Sequence, residues 1–387
     1  MAFTLTPEIT VLLGLGVFWL ALYVIAYVFH LDKRGLDTKP GYFMYRSKAL
    51  NSFIDRIAQK GRLFWKTCAN LSIAFGVGLM AFSLYFVISN LLRFIFPLGV
   101  SAAPVYPVIP ILTIRLYWLP YFFLAVAVIV LTHELAHGVT SRLENIPVLS
   151  TGLMAFLLFF GAFVEPDEKE FEKASLLSRL RMLASGSATN LITALLVTLL
   201  LQGLFLPASA GILIQEVSPD GPAATAGLRQ WDVIKAINGQ PTLSSQNFTN
   251  AMNTVSPGDT ISLTVLHDNT ERTLSITVAA DPENPSRAIV GVILGSVYRQ
   301  TILGLDQYST VHLYWSFFWI YLLGVSVAIF NMLPAFPFDG EKVFYYPLAN
   351  LAKKHTRELR YALNVIVWGL FVLNVALSFL RFGLLAI

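Results

Sequence analysis

The apolar run Tyr117 to Leu131 leads without a break into Thr132-His133-Glu134-Leu135-Ala136-His137-Gly138. A helix in lipid must satisfy its own backbone and excludes charge, so three ionisable groups within five residues need partners or a bound ion. Positions four apart on an α-helix return to nearly the same face, so both imidazoles can ligate one metal ion. Glu134 lies about 100° around from His133, near enough to act on a metal-held water without being a ligand. This is the H-E-x-x-H zinc pattern. The chain has only six histidines, and chance produces the pattern in roughly a few per thousand such sequences. The plainer alternative has two histidines bonded to neighbours and Glu134 as a cap or pair partner; the cost of burying all three weighs against it. His133 stands about 24 Å along the helix from Tyr117, which puts it inside a hydrocarbon core of about 30 Å.

Composition agrees with a membrane setting. The chain is 56% hydrophobic and 13% charged, with a mean hydropathy of +0.65, against about a quarter charged for soluble domains. The net charge of +4 reads as basic loops rather than as a nucleic-acid surface. Cys68 is the single cysteine, which excludes an intrachain disulfide and a C-x-x-C zinc site.

Six apolar segments are long enough to span a bilayer: Ile9 to Phe29, Leu71 to Ile95, Leu116 to Leu143, Met182 to Phe205, Tyr314 to Met332 and Tyr361 to Leu380. The first has no basic n-region and no small-residue cleavage site, so it reads as a retained helix. From His30 to Lys66 there are nine basic and three acidic residues, which marks that loop as cytoplasmic. The loop Glu341 to Arg360, with Lys342, Lys353, Lys354, Arg357 and Arg360, reads the same way. Phe96 to Ile114, with Pro97, Pro104, Pro107 and Pro110, is then an outer turn. Leu149 to Val164 is apolar but short, and glycines interrupt it. If it crossed, later candidate ligands would lie on the other side of the bilayer, so it is expected to dip in and return as a hairpin or extended segment. Glu165 to Glu170 is a solvated turn leading into a short charged helix.

Two further polar positions stand in apolar surroundings. Asn190 ends the small-residue run Ala184-Ser185-Gly186-Ser187-Ala188-Thr189, which allows close helix approach. It is either an interhelical hydrogen bond or a substrate contact near the metal. Asp339, in Asn331-Met332-Leu333-Pro334-Ala335-Phe336-Pro337-Phe338-Asp339-Gly340, is a carboxylate at a membrane-level turn. Such a group is costly unless it binds something. With His133 and His137 it completes the three-ligand open site of a catalytic zinc; otherwise it caps the segment after it.

Between Gly211 and about Val297 the chain becomes more polar and alternating, with turns at Ser218 to Pro222, Asn238-Gly239 and Ser256 to Asp259. Strands are expected at 212–217, 233–237, 262–266 and 274–278, and helical pieces at 223–228 and 245–254. This soluble insert resembles a PDZ domain of the bacterial protease-associated type, through Gly211-Ile212-Leu213-Ile214, Pro222 to Leu228 and Asp232 to Gly239. Arg229-Gln230-Trp231 replaces the usual Pro-Gly turn. The resemblance implies that an extended chain end adds beside the apolar strand Gly211, Ile212, Leu213 and Ile214. A domain that only blocks access is the competing reading.

Taken together, the His-Glu-x-x-His helix, the small-residue run ending in Asn190, the PDZ-like insert and the Asn-x-x-Pro…Asp-Gly motif resemble the site-2 protease family. Pro337 follows Pro334 by three residues rather than two, and Glu341 replaces a second glycine. The resemblance implies a polytopic α-helical membrane protein of about six transmembrane helices and one re-entrant segment, with a small mixed α/β insert. Its parts are residues 1–210 with the metal helix, an extracytoplasmic 211–298, and 299–387 with the Asp-Gly motif. It implies one Zn2+ per chain on His133, His137 and Asp339, Glu134 as the catalytic base, and transmembrane protein substrates. Asn190 is then a helper for the oxyanion, Asn331 a competitor for substrate backbone groups, and Leu149 to Val164 an edge for the unwound substrate. A prokaryotic cell membrane is the implied location. A zinc-holding membrane PDZ scaffold without catalysis is the rival, and Glu134 speaks against it. A metal transporter would show paired broken helices in two repeated halves, and none is visible.

Overall fold

The computed structural model describes residues 7–96, 99, 101–110, 112–352 and 355–383. Pro97 of the outer turn and Lys353 and Lys354 of the last basic loop lie outside them. The chain forms two compact units, Met1–Leu195 with Trp319–Ile387, and Leu196–Phe318. In order, the elements are α1 (Pro7–Val28), β1 (Leu36–Lys39), β2 (Tyr42–Ser47), α2 (Asn51–Gln59), α3 (Arg62–Ile95), α4 (Leu119–Leu143), β3 (Val148–Phe156), β4 (Phe159–Pro166), α5 (Glu168–Lys173) and α6 (Leu176–Leu204). There follow β5 (Gly211–Val217), α7 (Pro222–Thr225), β6 (Val233–Ile237), β7 (Gln240–Pro241), α8 (Ser245–Met252), β8 (Thr260–His267), β9 (Thr270–Thr277), β10 (Ala279–Ala280), β11 (Ala288–Ile289) and β12 (Val292–Tyr298). The chain closes with α9 (Gln307–Phe330), α10 (Asp339–Ala352) and α11 (Thr356–Phe382).

Six helices among the described residues are long and apolar enough to cross a membrane: α1, α3, α4 with the turn before it, α6, α9 and α11. Several begin earlier than their apolar stretches. The second starts at Arg62 rather than Leu71, because no breaker intervenes after Gly61 and Arg62 and Lys66 extend from its first turns. The basic stretch after Asp339 is not a loop. It is α10, which tolerates an internal Pro347, and Asp339 is its first residue rather than part of a free turn.

In the first unit, β1 to β4 form an antiparallel sheet in that order. Leu149 to Val164 is therefore extended: β3 and β4 form a hairpin closed by Phe156 opposite Phe159. The basic loop after α1 supplies β1 and β2, with Tyr42 opposite Phe156 and Ser47 opposite Thr151. The sheet's tip is strongly apolar and exposed at Leu153, Phe156, Leu157 and Phe159. From α1, the Trp19 indole donates to the Leu157 carbonyl at 3.1 Å. Beneath, Leu79, Met182, Ala328, Met332 and Tyr346 share one buried cluster that joins α3, α6, α9 and α10. The outer turn after α3 is pinned by side chains. Asn90 bonds both the N–H and the carbonyl of Ala103, and Asn374 links Asn90 to α11.

In the second unit, the sheet order is β12-β5-β6-β8-β9, with β7 beside β6. Its core gathers Ile214, Ile234, Ile237, Leu263, Val265 and Ile276. The alternating burial of β8 is what one wet and one dry face dictate. One expectation is corrected here. Gly211, Ile212, Leu213 and Ile214 lie in β5, which is paired with β12 on one side and β6 on the other. That strand has no free edge for an added peptide. The open edges belong to β12 and β9; a 230 Å³ groove lined by Phe248, Met252, Ile289, Val290 and Val292 runs beside β12. The closing strand β12 follows β5 by some distance in the chain, so local patterning left it unseen.

Gly152 governs the sheet in the first unit. A Cβ there would lie 2.0 Å from the Tyr45 carbonyl oxygen and 2.6 Å from the Phe163 ring. A Cβ at Gly161 would meet nothing closer than 3.7 Å. Gly152→Val is expected to destabilise the protein by about 1–3 kcal/mol, as overpacking does. Gly161→Val should leave the thermal midpoint, followed by tryptophan fluorescence in detergent, close to wild type.

Candidate metal centre and active site

His133 and His137 project from one face of α4, and Asp339 arrives from the start of α10. The two Nε2 atoms are 3.1 Å apart, and Asp339 Oδ2 lies 3.1 Å from His137 Nε2 and 3.3 Å from His133 Nε2. Bonds of about 2.05 Å in a tetrahedron separate ligand atoms by about 3.3 Å, so this spacing is that of three ligands around one zinc. Among the described residues this is the one group of three or more His, Cys, Asp or Glu side chains spaced to share an ion.

The backing of each histidine fixes which nitrogen faces the centre. His137 Nδ1–H donates to the Met182 carbonyl at 2.8 Å, which leaves the Nε2 lone pair pointing at the ligand group. His133 Nδ1 is 3.0 Å from the amide of Asn190. Asn190 is fully buried, and its Oδ1 has no partner within the described residues. An Nδ1–H on His133 with the amide oxygen turned toward it satisfies both groups and again frees Nε2. Asn190 therefore sits behind a ligand, bridging α6 to α4. Of the two readings, the interhelical hydrogen bond is the one this geometry shows, from α6 to the His133 imidazole of α4.

Asn331 stands on the metal side of the ligands. Its Nδ2 lies 2.8 Å from Asp339 Oδ2, 3.3 Å from His133 Nε2 and 3.2 Å from Ser187 Oγ. The Gly340 N–H donates to the Asn331 carbonyl at 2.9 Å, which ties the end of α9 to the start of α10. Glu134 is not among the ligand atoms. Its Oε2 accepts from the Val164 N–H of β4 at 2.9 Å, so the carboxylate stands between the ligand helix and the hairpin.

Gly186 is the site residue that sequence reasoning passed over. A Cβ there would lie 2.5 Å from His137 Nε2 and 2.6 Å from His133 Nε2. Its bare backbone thus keeps open the space in front of both ligand nitrogens. The signal was present: Gly186 and Asn190 are four apart on α6 and so share a face toward α4. The Met182 and Val164 contacts had no such signal, because backbone groups carry no residue-type signature.

A model of Peptidase family M50 matches residues 121–375, a span that contains every residue of this centre. The chain belongs to peptidase family M50, the site-2 protease family. It is therefore an integral membrane protein with a protease's ancestry, and the M50 family's zinc chemistry fits the two-imidazole, one-carboxylate donor set found here. Over 333 residues it is 28% identical to an uncharacterised protein, MJ0971, of Methanocaldococcus jannaschii, covering 85% of this chain and 82% of that one. It is also 36% identical over 72 residues to the serine endoprotease DegS of Escherichia coli, covering 19% of this chain and 20% of DegS. Among solved structures it is similar to the PDZ domain of an SdrC-like protein from Listeria monocytogenes. That match has 28% identity and a TM-score of 0.21, and covers 22% of this chain and 87% of the other. The insert of this M50 member is PDZ-like.

Gly186→Ala is expected to abolish zinc binding, measured by metal analysis of the purified protein, with the fold retained. Asn190→Ala should instead weaken zinc affinity by about 10–100-fold, the usual effect of losing a group that orients a ligand.

Proposed function

We propose that this protein is a zinc metalloendopeptidase that hydrolyses peptide bonds within the transmembrane segments of other membrane proteins, as in regulated intramembrane proteolysis. The observation that carries the reading is the separation of roles around the centre. Three ligand atoms converge, an amide donor stands beside them, and a carboxylate that is not a ligand lies next to an edge strand. A purely structural site has no use for the last two.

When bound to His133, His137 and Asp339, one zinc per chain supplies Lewis acidity, polarising a carbonyl and lowering the pKa of a water to about 7. Glu134 accepts that water's proton and delivers it to the departing amine nitrogen. Asn331 Nδ2 donates to Asp339 Oδ2 and Ser187 Oγ, and beside the ligands it is the amide placed to turn one N–H to an oxyanion as it develops. Asn190 and the Met182 carbonyl hold the imidazoles in the required tautomer.

A transmembrane helix hides its carbonyls in bonds one turn apart, so a substrate must unwind locally. The hairpin offers a place for the unwound strand. Pairing in β3–β4 alternates from Phe156 opposite Phe159, which turns the backbone groups of Phe160, Ala162 and Val164 to the free edge of β4. The Val164 N–H reaches Glu134 on that edge, so a strand added there runs past the base. The apolar exposed tip supports a re-entrant placement of the hairpin in the bilayer.

The basic stretch after α1 and the basic stretch around α10 favour a cytoplasmic side close to the metal, with the PDZ-like insert outside. Capture of a peptide C-terminus by that insert is assigned to the groove between α8 and β12.

The deciding experiment is cleavage of a single-pass model substrate by purified protein, with zinc quantified. Glu134→Gln should retain zinc and lose at least about 100-fold in turnover, the scale of a general base. A chelator should abolish wild-type turnover, and added zinc should restore it. Zinc-loaded wild type without cleavage would favour a scaffold. For the hairpin, Ala162→Pro removes one outward N–H without touching the β3 ladder. It should reduce substrate crosslinking to β4 and raise KM while zinc content stays unchanged.

A further inference from the structure

His133 and His137 sit inside α4, where the helix itself fixes their direction. Asp339 has no such frame before it. It opens α10 after a stretch in which Pro334 and Pro337 interrupt helix. A broken helix frees backbone groups that neighbours have to satisfy. Within the stretch, the Ala335 N–H donates to the Leu333 carbonyl at 2.8 Å, and the Phe338 N–H donates to the Ala335 carbonyl at 3.0 Å. Phe336 turns to α11 instead.

Arg360, Asn364 and Trp368 follow one another at four-residue spacing along α11, so they share one face of that helix. Asn364 Oδ1 accepts from the Phe336 N–H at 2.6 Å, and the Trp368 indole N–H donates to the Phe336 carbonyl at 2.8 Å. The Trp368 ring also stacks on Phe338, with centroids 5.9 Å apart and planes 27° from parallel. Beneath them, Val367 packs with Leu333 and Ala335 in one buried cluster.

The same face of α11 takes hold on the other side of Asp339. Arg360 donates from Nε and Nη2 to the two carboxylate oxygens of Glu341, the second bond being 2.9 Å. Glu341 is 2% exposed, and the guanidinium lies 4.4 Å from the centre of the Tyr345 ring. A two-armed bond to a buried carboxylate admits one orientation, which a single-point contact would not impose. Asn364 Nδ2 donates to the Arg360 carbonyl at 2.8 Å and so joins the two holds. Glu341, which stands in place of a second glycine, is thus the anchor of the first turn of α10.

We infer that α11, which supplies no ligand, is the positioning element for Asp339: Arg360, Asn364 and Trp368 hold residues 336–341 so that the carboxylate meets the two imidazoles. The Asn331 amide holds the carboxylate itself; α11 holds the backbone that carries it. The inference rests on the reading of Asp339 as a zinc ligand, and the experiment separates the two.

Full-length protein in detergent is stripped of metal. Zinc affinity is then read by competition with a chromogenic chelator, and ligand geometry by the visible spectrum of bound Co2+. The thermal midpoint of the metal-free form reports stability separately. Asn364→Leu, similar in size but without the acceptor, is expected to weaken zinc binding about tenfold, as losing a group that orients a ligand does, and to change the Co2+ spectrum. Trp368→Phe keeps a ring against Phe338, removes the indole N–H, and should move both readouts in the same direction. Val365→Ala, at an exposed position on another face of α11, should leave both at wild-type values. A lowered midpoint with wild-type affinity and spectrum in Asn364→Leu and Trp368→Phe would overturn the proposal, because a merely structural contact gives that result. If Asn364→Leu does not fold, Trp368→Phe decides by the same readouts. Asp339→Ala addresses the ligand reading. Affinity lost there but unchanged in the α11 variants rejects the positioning role alone, whereas affinity unchanged in Asp339→Ala rejects both.

Discussion

Three polar ligand atoms within 3.3 Å of one another, on helices otherwise built for lipid, set the conditions that the first unit has to meet. Two imidazole lone pairs and a carboxylate oxygen repel each other at that distance unless a cation lies between them. They also cannot drift apart, because each is held from behind: His137 by a carbonyl of α6, His133 by a buried amide of α6, and Asp339 by the Asn331 side chain. The α6 helix can supply those contacts only because Gly186 lets it pass close to the nitrogens. Three helix segments, α4, α6 and α10, are thus locked to one point, and the buried cluster of Met182, Ala328, Met332 and Tyr346 packs around it.

The sheet beside this point answers a different problem. If the hairpin dips into the bilayer as proposed, its extended backbone is tolerable only where its N–H and C=O groups are paired or face protein. Here β3 has neighbours on both sides, and β4 turns one outward N–H to Glu134. The remaining outward groups of β4 are the kind of unsatisfied edge that soluble proteins avoid. In the proposed function, their position next to Glu134 is what would join strand capture to chemistry in one place.

The insert illustrates how strand order, rather than strand content, decides where a ligand can bind. The apolar run from Gly211 to Ile214 looks like a docking strand by composition, yet its burial arises from having a strand on each side. An interior strand has spent its hydrogen bonds. The groove beside β12 has an open edge and a helix with Phe248 and Met252 facing it, and both come from residues far from β5 in the chain.

Much of this protein is legible from residue order alone. Hydrophobic runs of membrane length, the i, i+4 histidines, Glu134 and the Asp339 motif are local patterns, and local patterns follow from helical period and from the cost of burying charge. The PDZ-like strands and turns were legible for the same reason. Tertiary structure alone decided what lies behind those patterns. It placed Asn190 behind His133 and Asn331 in front, made Gly186 the clearance of the metal centre, and put Asp339 at the start of a helix instead of in a turn. It also closed the sheet of the insert with β12. Each of these depends on which surfaces of distant segments meet. Partner geometry across long stretches of chain leaves no periodic or compositional trace, because a carbonyl, a missing Cβ or a strand edge is the same whatever the side chains around it.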